Sequence, residues 1–548
     1  MSLRFRAIWA AALLLGSVPY AYSSENSDEQ QSLSTLRNTI ANLLQAMVEK
    51  GLLTREQAEQ LVQQAQTKAA AEAQARAAQN AATAKEEEGA VRVPYVPQIV
   101  KDEISKQVAK EVEPTVVAGV VQQAKEEKWG IPGALPEWLS RVRVFGDVRF
   151  REQSDIYPSD NDAVFDYNAI NQAGGFPNTL YPYLDTSHDR NRFRLRVRLG
   201  VEGDLTSNLR AFIRLASGAL NDPSSESQTL GTYGQRYAVG LDQGYIVWES
   251  APVGHLAHVT AEAGRVDNPW FTPTELIYSR DLTFEGVAST FRWGWGPKDP
   301  DGSHVFATFG AFPALEVPLV NQDNKWLVGA QVGTNLRWGG GGQHLKLAAA
   351  LYDFLHFTGK LNDPNAPGLT NYTAPAFIRY GNTVFDISNV PGNNNVNLFA
   401  LAAHFKLVDA AATYSFDFPQ YSLSVTGEAV RNIGYNRSVV EALSNQPMPS
   451  NEDSGYVAEV SFGTPTVEEF GKWRAAVGYR YVKRDAVIDA WTDADFHGGG
   501  TNAEGYYVWT QFGLAHNTWL RARYMSANEV DGPRYGLDIF QLDLNTRF

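Results

Sequence analysis

Around residues 190–199 the chain alternates: Arg190, Arg192, Arg194, Arg196 and Arg198 take one set of positions, and Phe193, Leu195, Val197 and Leu199 the other. A period of two puts successive side chains on opposite faces of a strand, so this segment predicts a strand with one charged and one apolar face. The same period appears where Val142, Val144, Val148 and Phe150 alternate with Arg141, Arg143, Asp147, Arg149 and Arg151. It recurs over 209–217, 344–352, 421–430, 456–463, 472–484, 518–524 and 539–548, and more weakly over 240–250, 256–266, 281–293, 303–313, 326–338, 406–416 and 502–514. The pattern predicts about 16 antiparallel strands.

The connections sort themselves as well. Every second link is short: Thr206-Ser207-Asn208, Gly339 to Gly342, the region of Pro419, and Ala515-His516-Asn517. The links between them are mostly long, at about 154–189, 218–239, 356–405, 433–453 and 485–501. Both ends of a sandwich strand face water, which gives no reason for such sorting. A transmembrane barrel with tight periplasmic turns and longer external loops gives one. The last strand sets Phe540, Leu542, Leu544, Thr546 and Phe548 on one face, and a terminal aromatic there, Phe548, is similar to the signal read by the barrel-assembly machinery.

Ahead of the strands the period is helical. Arg4 and Arg6 precede the apolar run Ile8 to Leu15, too short to span a bilayer, and Ala21 and Ser23 supply the small residues of a cleavage site after Ser23. Leu33, Leu36, Ile40, Leu43 and Met47 then form a heptad seam, Gly51 interrupts it, and Thr54 to Gln57 reads as a capping box. A coiled coil and a helical hairpin both fit this stretch. Pro94 and Pro97 mark a linker, with a short helix after it. The expected organisation is a signal peptide over 1–23, a helical or coiled-coil periplasmic segment over 24–90, a linker with a short helix over 91–138, and an all-β transmembrane barrel over 139–548.

Composition narrows the function classes. The 548 residues carry a net charge of −14, which argues against a nucleic-acid binder. There is no cysteine, so disulfides, thiol catalysis and Cys-ligated metals are excluded. The mean hydropathy of −0.30 suits a soluble protein or a barrel whose strands average apolar and polar faces. Trp248, Trp293, Trp338 and Trp473 fall near predicted strand ends, where membrane barrels place aromatic girdles. Of nine histidines, His258, His344 and His516 lie on or beside strands, and no G-x-S-x-G or H-E-x-x-H occurs. They read as pore or interface histidines, so no catalytic residue, metal or cofactor is expected.

Arg92-Val93-Pro94-Tyr95-Val96-Pro97, Trp129, Pro136-Glu137-Trp138, Arg141 and Gly146-Asp147-Val148-Arg149-Phe150-Arg151 form one characteristic patch. Gly264-Arg265-Val266-Asp267-Asn268-Pro269, Asp281-Leu282-Thr283 and Glu285-Gly286 form a second. Through both, the chain resembles a family of bacterial outer-membrane porins with an N-terminal helical extension. The resemblance implies an outer-membrane barrel acting as a channel, and supplies no substrate and no catalytic residue.

The leading expectation is a passive diffusion channel for small hydrophilic solutes or ions in the bacterial outer membrane, its N-terminal segment periplasmic. The alternatives are a barrel anchor tethering the membrane to peptidoglycan or a periplasmic partner through the helical segment, and an outer-membrane barrel enzyme. Outer-membrane lipid, the barrel-assembly machinery and further copies of the chain, as a homotrimer, are the expected partners. Arg149, Arg151, Arg192, Arg194, Arg196, Arg198, Arg210 and Arg214 are expected to line the pore as a basic sector of the first three strands. Same-face neighbours lie ~7 Å apart, where two charges repel by about 2.4 kcal/mol at an effective dielectric of 20, so the row needs water, anions or facing carboxylates. The connection Asp267 to Asp281 is the expected constriction loop, supplying Asp267, Glu275 and Asp281. Gln331, Asn335, Glu428, Glu459 and Asp543 are expected to face a wet interior.

Overall fold

The computed structural model describes residues 141–176, 182–251, 256–294, 302–319, 321–389 and 397–548. The signal peptide, helical segment and linker expected before residue 139 lie outside the described residues.

The described chain forms sixteen long strands: β1 (Val142–Ile156), β2 (Arg190–Thr206), β3 (Leu209–Ser217), β4 (Val239–Glu249), β5 (Leu256–Val266), β6 (Phe284–Gly294), β7 (His304–Leu315), β8 (Lys325–Trp338), β9 (Gln343–Leu355), β10 (Phe405–Asp417), β11 (Ser422–Asn432), β12 (Ser454–Gly463), β13 (Trp473–Val482), β14 (Ala503–Ala515), β15 (Thr518–Glu529) and β16 (Gly536–Arg547). Each pairs antiparallel with the next. The last pairs back with the first, from Asp147↔Arg547 to Ile156↔Asp538, so the sheet closes on itself. Closure removes both sheet edges, which is what a strand structure in hydrocarbon requires.

The outer surface is apolar. Phe193, Leu199 and Val201 on β2, Ile213 on β3, Val287 on β6, Val332 on β8, Val425 on β11, Val477 on β13 and Leu542 on β16 are all exposed. Trp248, Trp293, Trp338 and Trp473 all lie at the end of the barrel that carries the short turns. Aromatics gather in this way at a membrane–water interface. Among the described residues no helix is long and apolar enough to cross a membrane, so strands do the crossing.

The connections alternate around the ring. One end carries 207–208, 339–342, 418–421 and 516–517; the other carries 157–189, 218–238, 267–283, 356–404, 433–453 and 483–502. Strand β1 runs on to Ile156, slightly past the alternation that marks it in the sequence, because Ser154 and Asp155 still pair with Phe540 and Ile539. The turn at 516–517 can be this short because Asn517 takes a φ of 54°, as hairpin turns demand and asparagine tolerates.

The seam between β1 and β16 is held beyond the strand ladder. Gly146 N–H donates to the Phe548 carbonyl at 3.1 Å, and Phe548 N–H donates to the Gly146 carbonyl at 3.0 Å. A Cβ at Gly146 would lie 2.7 Å from the Phe548 ring and 2.5 Å from the Arg198 carbonyl oxygen. Glycine is therefore required by close approach, and Gly146→Val should overpack the seam at a cost of about 1–3 kcal/mol. The check is the temperature at which the folded, fast-migrating gel band converts to the unfolded one. It should fall in the variant; an unchanged temperature would show that the terminal ring does not clamp the closure.

Candidate functional site

The inner face of β1–β3 presents the arginine row, and the fold supplies it with carboxylates from many parts of the chain. Arg151 lies 2.6 Å from Asp543 on β16 and 2.7 Å from Asp495 in the connection 483–502. Arg192 lies 2.7 Å from Asp155, and Arg194 lies 3.5 Å from Asp495. Arg196 sits between Asp147 at 2.9 Å and Asp281 at 3.2 Å. Arg198 pairs with Asp147 and, at 3.5 Å, with Glu226. Arg210 is 3.1 Å from Glu202 and also meets Glu249. Arg214 is 3.3 Å from Glu226 and also meets Asp242. Arg149 bonds the Ser227 hydroxyl and, among the described residues, has no carboxylate partner within ion-pair distance.

The connection 267–283 leaves the wall between β5 and β6 and crosses the lumen. Its root bends where Gly264 and Gly286 face each other across the two strands at φ of 129° and 141°. A Cβ at either would lie 2.3 Å from a backbone oxygen of the adjacent strand, so both positions admit only glycine. The Phe271 N–H donates to Gln331 Oε1 on β8 at 2.7 Å, and Gln331 Nε2 donates back to the Phe271 carbonyl at 3.0 Å. Thr274 N–H donates to Glu428 Oε2 on β11 at 3.1 Å. Ser279 Oγ donates to the Ser224 carbonyl at 2.8 Å, and Asp281 then reaches Arg196 on the far wall.

An aromatic hub fixes this path. Trp270 packs 4.8 Å from Tyr352, 5.4 Å from Phe312 and 5.8 Å from Tyr278, measured between ring centroids. Its indole lies against Gly310 and Gly329, which pair across β7 and β8; a Cβ at Gly329 would be 2.5 Å from the Trp270 ring. The barrel wall thus has a notch cut by two glycines, filled by one tryptophan from the loop.

Of the three acidic loop residues singled out in the sequence, Asp281 alone forms an ion pair with the row among the described residues. Asp267 is exposed and accepts from its neighbour's Asn268 N–H. Glu275 accepts from Arg280 N–H within its own loop, and its carbonyl accepts from Arg480 at 2.9 Å. Sequence reasoning missed Asp493 and Asp495. Asp493 lies 3.3 Å from Arg523, and Asp495 serves Arg151 and Arg194. The only signal was the density of carboxylates at Asp485, Asp489, Asp493 and Asp495 in one connection, and nothing in it says that this loop turns inward. Gln331 and Glu428, expected in a wet interior, are buried and anchor the connection 267–283, while Asp543 is buried against Arg151 and lines the lumen. Asn335 is also buried, where its Oδ1 meets His344 Nε2.

A sixteen-strand barrel with a loop folded into its lumen is a channel architecture, and the sequence comparison agrees with it. Residues 37–548 match the family model described as "Putative porin". The chain belongs to that family. No protein of curated function matches this porin significantly. Solved structures similar to it include Pseudomonas putida OprB, at 11% identity, covering 77% of this chain and 97% of that one, with a TM-score of 0.43. The outer membrane channel DcaP of Acinetobacter baumannii is similar at 10% identity, over 74% and 97% of the two chains, with a TM-score of 0.38. Salmonella typhi OmpF in complex with daunomycin is similar at 12% identity, over 74% and 97%, also with a TM-score of 0.38.

Two of the cavities along the lumen of this porin meet at the connection 267–283. An outer one of about 800 Å³ is lined by the connection 218–226, Lys325, Phe357, Phe377 and Trp491. An inner one of about 250 Å³ is lined by seven arginines (149, 151, 196, 198, 280, 521 and 523) against the five carboxylates Glu275, Asp281, Asp493, Asp495 and Asp543. Asp147 and Glu226, the further partners of Arg196 and Arg198, stand just behind this lining. Ser225 and Asp281 line both cavities, so the Asp281–Arg196 contact stands between them.

Two of the loop carboxylates, Asp281 and Asp495, are held ionised by their surroundings, whereas burial pushes Asp485 and Asp489 in the connection 483–502 up to about 7. Burial alone would raise the Asp281 carboxyl, but Arg196, Arg149, Arg198 and the Glu226 N–H together hold it below the ordinary range. Burial is likewise overridden at Asp495 by Arg151, Arg194 and Arg523, which hold it well below that range. A carboxylate depressed below its unfolded value of about 3.9 stabilises the fold above that value and loses the contribution as pH falls through the folded one. The cross-links should therefore persist at pH 5 and fail only below about 4. Hydrogen exchange around Asp281, at 279–283, corrected for intrinsic rates, should match at pH 7 and pH 5 and rise below about 4. Loosening there already above about pH 4 would show that the Asp281 carboxyl is not depressed.

Proposed function

We propose that this porin is a passive diffusion channel for small hydrophilic solutes and ions, with its selective step at the arginine row facing Asp281 and Asp495. The observation that carries the reading is the pair of cavities meeting at Ser225 and Asp281. Guanidinium groups on one wall and loop carboxylates opposite set up a field across the lumen, which orders polar solutes and disfavours apolar ones. Arg149, Arg151, Arg192, Arg194, Arg196, Arg198, Arg210 and Arg214 line the pore in this reading, with the connection 267–283 as the constriction loop.

The mature chain begins after Ser23, residues 24–90 form a helical periplasmic segment, and Phe548 is the residue presented to the barrel-assembly machinery. The heptad seam from Leu33 to Met47 bundles the helices of three protomers, giving a homotrimer. Mass measurement of the full chain in mild detergent should return three copies; a monomer with the helical segment intact would end that proposal.

The selectivity claim is tested in planar bilayers under a salt gradient. Replacing Arg194 and Arg196 together with glutamine removes two positive charges from the row and should move the reversal potential toward cation preference. If neither reversal potential nor conductance changes, these arginines do not line the path.

A further inference from the structure

Most arginines of the inner chamber are neutralised within the fold, but three are not. Among the described residues Arg149, Arg280 and Arg521 have no carboxylate within ion-pair distance, although five carboxylates line the same space. The Arg149 guanidinium meets only the Ser227 hydroxyl, and Arg521 lies over the Trp509 ring at 5.4 Å. Among the described residues, the buried atoms Arg149 Nε, Arg521 Nε and Asn545 Nδ2 have no hydrogen-bond partner. These donors come from adjoining strands: Arg149 on β1 pairs in register with Asn545 on β16, and Arg521 on β15 pairs with Asp543 on β16. Arg280, on the loop that crosses the lumen, faces the same chamber from the other side.

An arginine stays charged at neutral pH, and withdrawing the partly buried Arg149 and Arg521 from water without a counter-charge is costly, while Arg280 is exposed on its loop. A chain with a large carboxylate surplus that still leaves three guanidinium groups open around one chamber leaves a place for a mobile anion. The geometry points to a small dianionic oxyanion, of the phosphate or short dicarboxylate kind, bound between Arg149, Arg280 and Arg521 during passage. Three guanidinium groups without a carboxylate partner favour a dianion over a monoanion. The guanidinium fork matches the paired oxygens of phosphate or carboxylate better than it matches a halide. A chamber of about 250 Å³ holds about eight waters' worth of volume, enough for such an ion with part of its hydration shell. This inference rests on the channel reading and deepens it: the porin binds what it passes at this point and does not act only as a sieve.

The test uses the purified full chain in planar bilayers in potassium chloride, with phosphate or malonate added at constant ionic strength. The chloride current should fall saturably with one or both oxyanions. Phosphate alone would assign a phosphoryl-type ligand, malonate alone a dicarboxylate, and both a site that reads charge; each supports the proposal. The double variant Arg149→Gln/Arg521→Gln should raise the half-saturating concentration about tenfold, as loss of charge-assisted hydrogen bonds predicts. Should that variant fail to give the heat-resistant folded band, Arg280→Gln on the loop reads the same site. No response to either oxyanion, or equal half-saturation in wild type and variant, overturns the site while leaving the channel intact. Absence of any chloride conductance would instead sink the channel reading. Calorimetric titration of the detergent-solubilised protein with phosphate and with malonate then decides binding directly, and no heat from either overturns the site.

Discussion

The closed hydrogen-bond ladder is the constraint from which the rest of this structure follows. Hydrocarbon offers no partner to a backbone amide or carbonyl, so a strand structure can sit in a membrane only if every strand has two neighbours. Pairing β16 back onto β1 meets that demand and fixes which side of each strand faces lipid. The outward set across the membrane must then be apolar, and the arginines of β1–β3 are forced into the lumen. Closure thus creates the second problem the molecule has to solve: a wall bearing arginine at alternate positions in a confined, partly desolvated space.

The loops solve it. Asp281 and Asp495 come from connections more than two hundred residues apart in sequence, and both reach the same stretch of β1 and β2. Buried ion pairs add little net stability, because desolvation cancels much of the attraction. Their consequence here is positional. A loop whose carboxylate left its arginine would strand an uncompensated charge, which costs several kcal/mol, about 3–5 by analogy with broken buried pairs. The network therefore pins the two loops across the lumen and narrows the path at the same point.

Apolar packing decides where along the barrel the crossing occurs. The notch at Gly310 and Gly329 accepts Trp270, and Tyr278, Phe312 and Tyr352 close around it. Gln331 and Glu428, polar residues on the inner wall, bond the loop backbone and so replace water there. The result is asymmetric: the wall of β8–β11 is covered by the loop, and the arginine wall borders the remaining space. Arg149, Arg280 and Arg521 stay without a carboxylate partner in that space among the described residues, even though the chain is acidic overall, so bulk net charge says little about which ions the lumen favours.

The sequence by itself determined the strands, their inner and outer faces and the sorting of connections, because a period of two is a local property and lipid imposes it on every strand. The row from Arg190 to Arg198, the apolar set from Phe193 to Leu199 and the two-residue turn at His516-Asn517 were all legible in this way. Closure was legible only indirectly, through the sorting of short and long connections that a membrane barrel explains. What the tertiary structure decided is which groups meet across the lumen. That Asp281 faces Arg196 while Glu275 turns back to its own loop depends on where Trp270 lodges in a notch made by two glycines on other strands. That Asp495 joins the same arginines depends on a second loop folding in beneath the first. Such contacts follow from shape and charge brought together by barrel closure, and no local pattern in the chain encodes them.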